Sequence, residues 1–131
     1  MVIDKLALID LKNKKILMAL NKGLDTWYIP GGKREGEETD EQALIREVEE
    51  ELAVSLDPKT IKFFGIWRAK AHNKPEGTMI KLTCYTASYS EMPKATSEVE
   101  KIEYFSYSQK HLTGYVDHLV FDYLKGEGLI K

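Results

Sequence analysis

The sequence predicts an α+β domain, and three observations carry the prediction. Short apolar-alternating segments bounded by turn residues recur along the chain, as β-strands do. Two stretches, opening at Thr39 and Gly114, instead repeat their apolar residues at helical spacing. The order along the chain is strands, helix, strands, helix. At 131 residues, 43% of them hydrophobic and 31% charged, the composition is that of an ordinary globular domain able to bury its own core, and residues 1–131 are read as one domain.

Residues 5–11 (KLALIDL) and 15–20 (KILMAL) read as strands. Lys12, Asn13 and Lys14 between them make a short polar turn, so the two strands are expected to pair as a hairpin. Residues 21–25 form a loop, and Trp27, Tyr28 and Ile29 a short strand that Pro30 stops. Gly31 and Gly32 follow; without Cβ they let the backbone turn sharply and come close to a ligand. Thr39 is a good helix N-cap, with Gln42 three residues on in a capping-box pattern, and Asp40 and Glu41 suit the positive end of the helix. Leu44, Val48 and Leu52 lie at i, i+4 and i+8, with Ala43 and Ile45 beside them, so this helix packs on the sheet by one side. Asp57 and Pro58 start a turn, residues 61–70 form a strand with an aromatic cluster, and residues 71–77 a polar loop. Residues 78–89 make a long alternating strand in which Cys84 reads as a buried residue rather than a nucleophile. A loop over 91–97 leads to a strand within 99–107. The last helix, over 114–124, is expected to bury Val116, Leu119, Val120, Tyr123 and Leu124, with Gly126 in the position of a helix-ending glycine.

Composition excludes several classes of function. A net charge of −2 gives no field favouring bulk nucleic acid or an anionic membrane. One cysteine excludes an internal disulfide, no apolar run reaches the length of a membrane span, and the start of the sequence lacks a signal-peptide pattern. These features point to a cytoplasmic setting. His72, His111 and His118 show no metal-ligand spacing and read as surface or helix-face residues.

The chemistry concentrates in residues 31–54, GGKREGEETDEQALIREVEEELAV. Glu47, Glu50 and Glu51 stand at i, i+3 and i+4, on one face of the predicted helix. Like charges at that spacing repel by a few tenths of a kcal/mol per pair, roughly, and a hard divalent ion bound through oxygen, Mg²⁺ or Mn²⁺, would neutralise them. From Gly32, five residues lead to Glu38; seven more lead to Arg46-Glu47-Val48, then Glu49, then Glu50-Glu51, and, past Leu52, Ala53-Val54. This spacing resembles the Nudix box, the signature of the Nudix (MutT-like) hydrolases, here spanning residues 32–54. Only Ala53 departs, standing where the family has glycine; if that position needs positive φ, alanine costs on the order of 1 kcal/mol, a cost at the helix exit and away from the carboxylates. Six fixed matches arise by chance on the order of once in ten million windows. The segment TWYIPGG extends the likeness upstream.

The resemblance implies an α/β/α sandwich around a mixed β-sheet, and a metal-dependent pyrophosphohydrolase of nucleoside diphosphates linked to another group. It implies metal binding by Glu47 and Glu51, with Glu50 shared between ligation and base chemistry. A backbone carbonyl at the Gly31/Gly32 corner, Gly32 being the box residue, would join them. Arg46 would orient the carboxylates and Glu38 brace the loop. A glutamate outside the box often completes the family's site, and Glu98, before Val99 and the aromatics Tyr104 and Phe105, fits as a further ligand or base; Glu100 is the weaker candidate. Lys33 and Arg34 are candidates for substrate phosphates, as are Arg68, Lys70, Lys74 and Lys81; Trp27, Trp67 and Tyr28 are candidates for stacking a base, against ordinary solvation or core packing. Residues 67–74 hold none of the family's markers for ADP-ribose, dinucleoside polyphosphates or NADH, which leans the substrate toward nucleoside triphosphates, including oxidised ones. The expected partner is a small-molecule nucleotide, with no nucleic acid polymer and no membrane, and the protein a monomer or homodimer. Two alternatives compete with this reading. A catalytically weak or inactive nucleotide-binding module should show eroded box carboxylates, and these are all present; the isopentenyl-diphosphate isomerase branch needs a cysteine motif that Cys84 lacks.

Overall fold

The computed structural model describes residues 1–71, 74–96 and 98–131. His72 lies outside the described residues, as do Asn73 and Ser97. The chain runs β1 (Val2–Leu8), β2 (Leu11–Lys12), β3 (Lys15–Asn21), β4 (Gly31–Lys33), α1 (Asp40–Leu52), β5 (Lys62–Lys70), β6 (Met79–Thr86), β7 (Val99–Phe105) and α2 (Tyr115–Gly126), with short 3-10 turns at Pro58–Thr60 and Tyr107–Leu112. One sheet has the order β4-β1-β6-β5 and is mixed: β1 runs parallel to β6 and the other pairs are antiparallel. A second, antiparallel sheet has the order β2-β3-β7.

The layers follow from side-chain alternation. On β1, Leu6 and Leu8 pack with Leu44, Val48 and Leu52 of α1, while Ala7, and Ile9 just beyond the strand, pack with Val116, Val120, Phe121 and Leu124 of α2. On β3, Leu17 joins the first cluster, and Ile16, Met18 and Leu20 the second. The strands therefore lie between the helices and are apolar on both faces, the α/β/α layering expected of the sequence.

Five local expectations are corrected, the last concerning the glycine that ends α2. First, β3 pairs with the two-residue β2 and not with β1. Asn13 and Lys14 take positive φ (53° and 62°), a two-residue turn, but the chain between Leu8 and Leu11 crosses from one sheet to the other. Second, Trp27–Ile29 is no strand: Trp27 and Tyr28 make isolated bridges, to Thr113 and Ala19. Third, the glycine pair is itself part of a strand, with Gly31 opposite Ala7 and Gly32 opposite Leu6. Fourth, the inner face of α2 is Val116, Asp117, Val120, Phe121 and Leu124, whereas Leu119 and Tyr123 are 40% and 44% exposed. Passing over Asp117 as polar rotated the expected face. The left-handed glycine after this helix is Gly128, not Gly126.

Candidate active site

The first turn of α1 carries the expected capping box: the Gln42 backbone N–H donates to the Thr39 hydroxyl at 3.1 Å, and the Thr39 N–H to the Gln42 side chain at 2.9 Å. This fixes where the helix starts, and so which carboxylates face β4. At the other end Ala53 takes φ 57°, the left-handed conformation anticipated from the family's glycine.

Arg46 is the hub of one side of the corner. Its guanidinium grips Glu38 with two bonds, Nε at 2.7 Å and Nη2 at 2.9 Å. It also donates to Glu47 at 2.8 Å, to Glu50 at 3.3 Å and to the Lys33 carbonyl at 3.0 Å. The planar fork is what allows one side chain to serve so many acceptors. Glu38 accepts in addition from the Glu35 N–H at 2.8 Å. The Arg46 bonds, then the Glu35 amide, hold its carboxyl down at about 2.

Glu51 is the opposite case. Expected to face outward with its neighbours, it is instead only 9% exposed. The Gly31 N–H donates to one carboxylate oxygen at 2.8 Å and the Tyr28 hydroxyl to the other at 2.9 Å. Burial outweighs both bonds and pushes its pKa up to about 7. Burial also raises Glu47, with Arg46 opposing. Glu47 lies directly on Gly32, whose Cβ position its carboxylate occupies. A side chain at Gly31 would overlap the Leu6 carbonyl oxygen. The corner thus brings two desolvated carboxylates against backbone, which only glycine permits.

Beside this corner opens a pocket of about 530 Å³. Of the residues singled out from the sequence, Trp27, Tyr28, Gly31, Gly32, Lys33, Glu47, Glu51, Lys70 and Lys74 line it, and Arg68 and Lys81 do not. Glu50 is exposed beside it on α1. Glu98 is exposed ahead of β7; the loop before it is fastened to the end of α1 by Thr96, whose hydroxyl donates to the Glu50 carbonyl at 2.5 Å, and by the Lys94 N–H to the Leu52 carbonyl at 3.0 Å. Arg34 is turned away from the pocket, ion-paired to Asp40 at 2.6 Å and to Asp4 at 3.5 Å. Trp27 is buried against Phe105, ring centroids 4.8 Å apart, and Trp67 packs on Phe64 and Tyr123. Among the described residues no three His, Cys, Asp or Glu side chains are gathered as a ready-made metal cage, since Arg46, Gly31 and Tyr28 hold the box carboxylates where they are.

Two pocket residues escaped the sequence reading, Lys5 on β1 and Asp117 on α2. Burial lowers the first and raises the second to about 7. The available signals were weak: an acid in a first helical turn suits the helix dipole anyway, and a lysine near the start of a strand reads as solvated.

A NUDIX domain model matches residues 6–120 of the chain. No curated protein matches the sequence. Among solved structures, the chain is similar to a MutT NUDIX hydrolase from Burkholderia pseudomallei, at 23% identity over 82% of this chain and 85% of that one, TM-score 0.67. It is similar to a NUDIX hydrolase from Nitrosomonas europaea at 19% identity, 96% and 90% coverage, TM-score 0.73. A MutT protein from Methanosarcina mazei Go1 follows at 16% identity, 96% and 94% coverage, TM-score 0.72. At these identities the structural likeness is one of fold.

Proposed function

The chain belongs to the Nudix family, hydrolases of pyrophosphate bonds in small-molecule nucleotides, and from that premise we propose a Mg²⁺- or Mn²⁺-dependent pyrophosphohydrolase of nucleoside triphosphates, ordinary or oxidised. The observation that carries the reading is the pair Glu47 and Glu51, desolvated against the glycine corner at the edge of the pocket. Carboxylates kept there without full compensation suit a hard cation: the donors are all oxygen, and the raised proton affinity of both marks positive charge that the protein itself does not supply. Glu47, Glu50 and Glu51, with a carbonyl of the Gly31/Gly32 corner, would hold the ion. Bound there, it supplies positive charge against the diphosphate and acidifies nearby water.

The remaining roles fall to the chain itself. Arg46 ties Glu47 and Glu50 to the Glu38 loop and so fixes their spacing. Glu50, exposed and gripped only at 3.3 Å, is free to take a proton from the attacking water, with Glu98 the second candidate. The water oxygen forms the new bond to phosphorus, the bond to the bridging oxygen breaks, and nucleoside monophosphate and pyrophosphate leave. Lys33, exposed at the pocket edge and outside every ion pair among the described residues, meets the substrate phosphates. The setting is cytoplasmic.

The test is product release across (d)NTPs, oxidised dNTPs, nucleoside diphosphate sugars, ADP-ribose and dinucleoside polyphosphates with Mg²⁺ or Mn²⁺. Nucleoside monophosphate and pyrophosphate from a triphosphate are expected. Turnover of none of the panel, with binding retained, would replace the enzyme by a nucleotide-binding module.

A further inference from the structure

Arg46 bonds Glu47 and Glu50 but, among the described residues, makes no bond to Glu51. Glu51 is held instead by two neutral donors from outside its helix. The Gly31 N–H reaches one oxygen at 2.8 Å and the Tyr28 hydroxyl the other at 2.9 Å. Tyr28 is itself fixed twice. Its backbone exchanges two hydrogen bonds with Ala19 of β3, both 2.9 Å. Its hydroxyl lies 2.7 Å from the side-chain oxygen of Asn21, the last residue of β3. Asn21, Tyr28 and Glu51 all line the pocket.

These contacts pose a counting problem. A tyrosine hydroxyl carries one proton, and a carboxylate and an amide oxygen both accept. The problem resolves when the two ends of the Asn21 amide are exchanged, which puts an N–H where the oxygen was. Asn21 then donates to the Tyr28 oxygen, and the hydroxyl proton is left for Glu51. A hydroxyl that accepts on its oxygen also donates more strongly. We propose that Asn21 and Tyr28 are positioning residues for the metal site, a hydrogen-bonded chain that fixes the plane of the Glu51 carboxylate and leaves its charge for a divalent cation. The assignment rests on the reading of Glu51 as a metal ligand.

The neutrality of the chain is what suits it to the task. A cation in place of Tyr28 would hold Glu51 as firmly and cancel the charge that a metal ion needs. A hydroxyl and a backbone amide orient the carboxylate and neutralise nothing. A carboxylate has about four acceptor sites, so about one remains on each oxygen of Glu51. Because the two oxygens are tied to different segments, Tyr28 and β4, the group is held against rotation about its last torsion. Asn21 also stands where the β3–β7 register shifts, opposite Val99, and the next residue, Lys22, donates its N–H to the Glu98 carbonyl at 3.2 Å. The end of β3 is thus a common frame for Glu51 and for the backbone of Glu98.

Mn²⁺ titration of the nucleotide-free protein, read by calorimetry and by the electron spin resonance of free Mn²⁺, tests this without catalysis. Tyr28→Phe keeps the ring and loses only the hydroxyl, and it should weaken Mn²⁺ binding about tenfold. Asn21→Ala should weaken it by less. The double variant should bind as Tyr28→Phe does, because Asn21 acts only through the hydroxyl. Glu51→Gln is the reference, and metal-free thermal melts show that each variant folds. If Tyr28→Phe does not fold, Asn21→Ala decides alone. Wild-type Mn²⁺ affinity in either single variant overturns the proposal, as do single effects that add in the double variant. A Tyr28→Phe protein that melts lower with Mn²⁺ affinity unmoved has lost a structural bond only, which overturns it too. Weakened binding in Glu51→Gln with none in Tyr28→Phe sinks this inference and leaves the metal site. A Glu51→Gln protein that binds Mn²⁺ like wild type sinks the metal assignment of Glu51, and this inference with it.

Discussion

Glu38 and Glu51 lie on two sides of the same glycine corner and are treated in opposite ways. Glu38 accepts two bonds from Arg46 and one from a backbone amide, and its charge is favoured. Glu51 also accepts two good bonds, yet burial leaves its charged form disfavoured. The number of hydrogen bonds is thus a poor guide to which carboxylate is comfortable. What differs is that Glu38 is ion-paired to Arg46 and partly exposed, whereas Glu51 is only 9% exposed and makes no ion pair among the described residues. The first is a brace. The second is a charge held ready for something the protein alone does not provide.

The largest expected effect comes from Glu51→Gln. Activity should fall by about a thousandfold, as when a preorganised charge at a reacting centre is removed. The metal-free protein should change in the other direction. Because the folded-state pKa of Glu51 is raised from 4.5 to about 7, the folded state holds a proton that the unfolded chain has already lost across that window. Stability therefore falls as pH rises from about 4.5 to 7 and levels off above it. Thermal melts of the metal-free variant should show a shallower decline over that range, the remainder coming from Asp117, which is raised in the same way. An unchanged slope in Glu51→Gln would remove the contrast with Glu38.

Arg46→Lys should cost less, on the order of tenfold to a hundredfold in kcat, because a point charge cannot reproduce the fork that holds Glu38, Glu47 and the Lys33 carbonyl together. In wild type, Glu38 contributes stability that is fully present above its ordinary value of 4.5 and is lost as pH falls through about 2. In the variant its carboxyl resonance should titrate close to the ordinary range. A wild-type Glu38 that already titrates there would show that the brace does not form. The smallest effect belongs to Ala53→Gly. With φ at 57°, glycine should stabilise the fold by about 1 kcal/mol in denaturant unfolding and leave kcat unchanged.

Much of the corner was readable because its geometry is local. The capping box at Thr39 and Gln42, the helical spacing of Glu47, Glu50 and Glu51, and the strain at Ala53 all depend on residues within one or two turns. The two-layer burial of the helices was readable from periodicity. The rest depends on contacts distant in sequence. That Glu51 is buried while Glu50 is exposed follows from the Tyr28 side chain and the Gly31 backbone lying against it. That the two glycines make a strand follows from their pairing with β1, which no turn rule anticipates. An acid such as Asp117 in a first helical turn carries no special mark in sequence, and only its burial at the pocket wall, 6% exposed, distinguishes it. Arg34, a candidate for phosphate in the sequence, is taken by Asp40 at 2.6 Å and, more loosely, by the sequence-distant Asp4 at 3.5 Å.

Gly31 has no room for an additional carbon, blocked by the Leu6 carbonyl, and a carbon at Gly32 would displace the Glu47 carboxylate. For directed evolution this makes the corner a fixed datum, from which a ligand is measured but which cannot itself be adjusted. Libraries that randomise Gly31 would consist largely of misfolded clones, and those that randomise Gly32 would move the Glu47 carboxylate out of place. The sequence space worth sampling for new substrates is the opposite wall, at Lys5, Leu24, Tyr115 and Asp117, where side chains border open volume and a change of size or charge has somewhere to go.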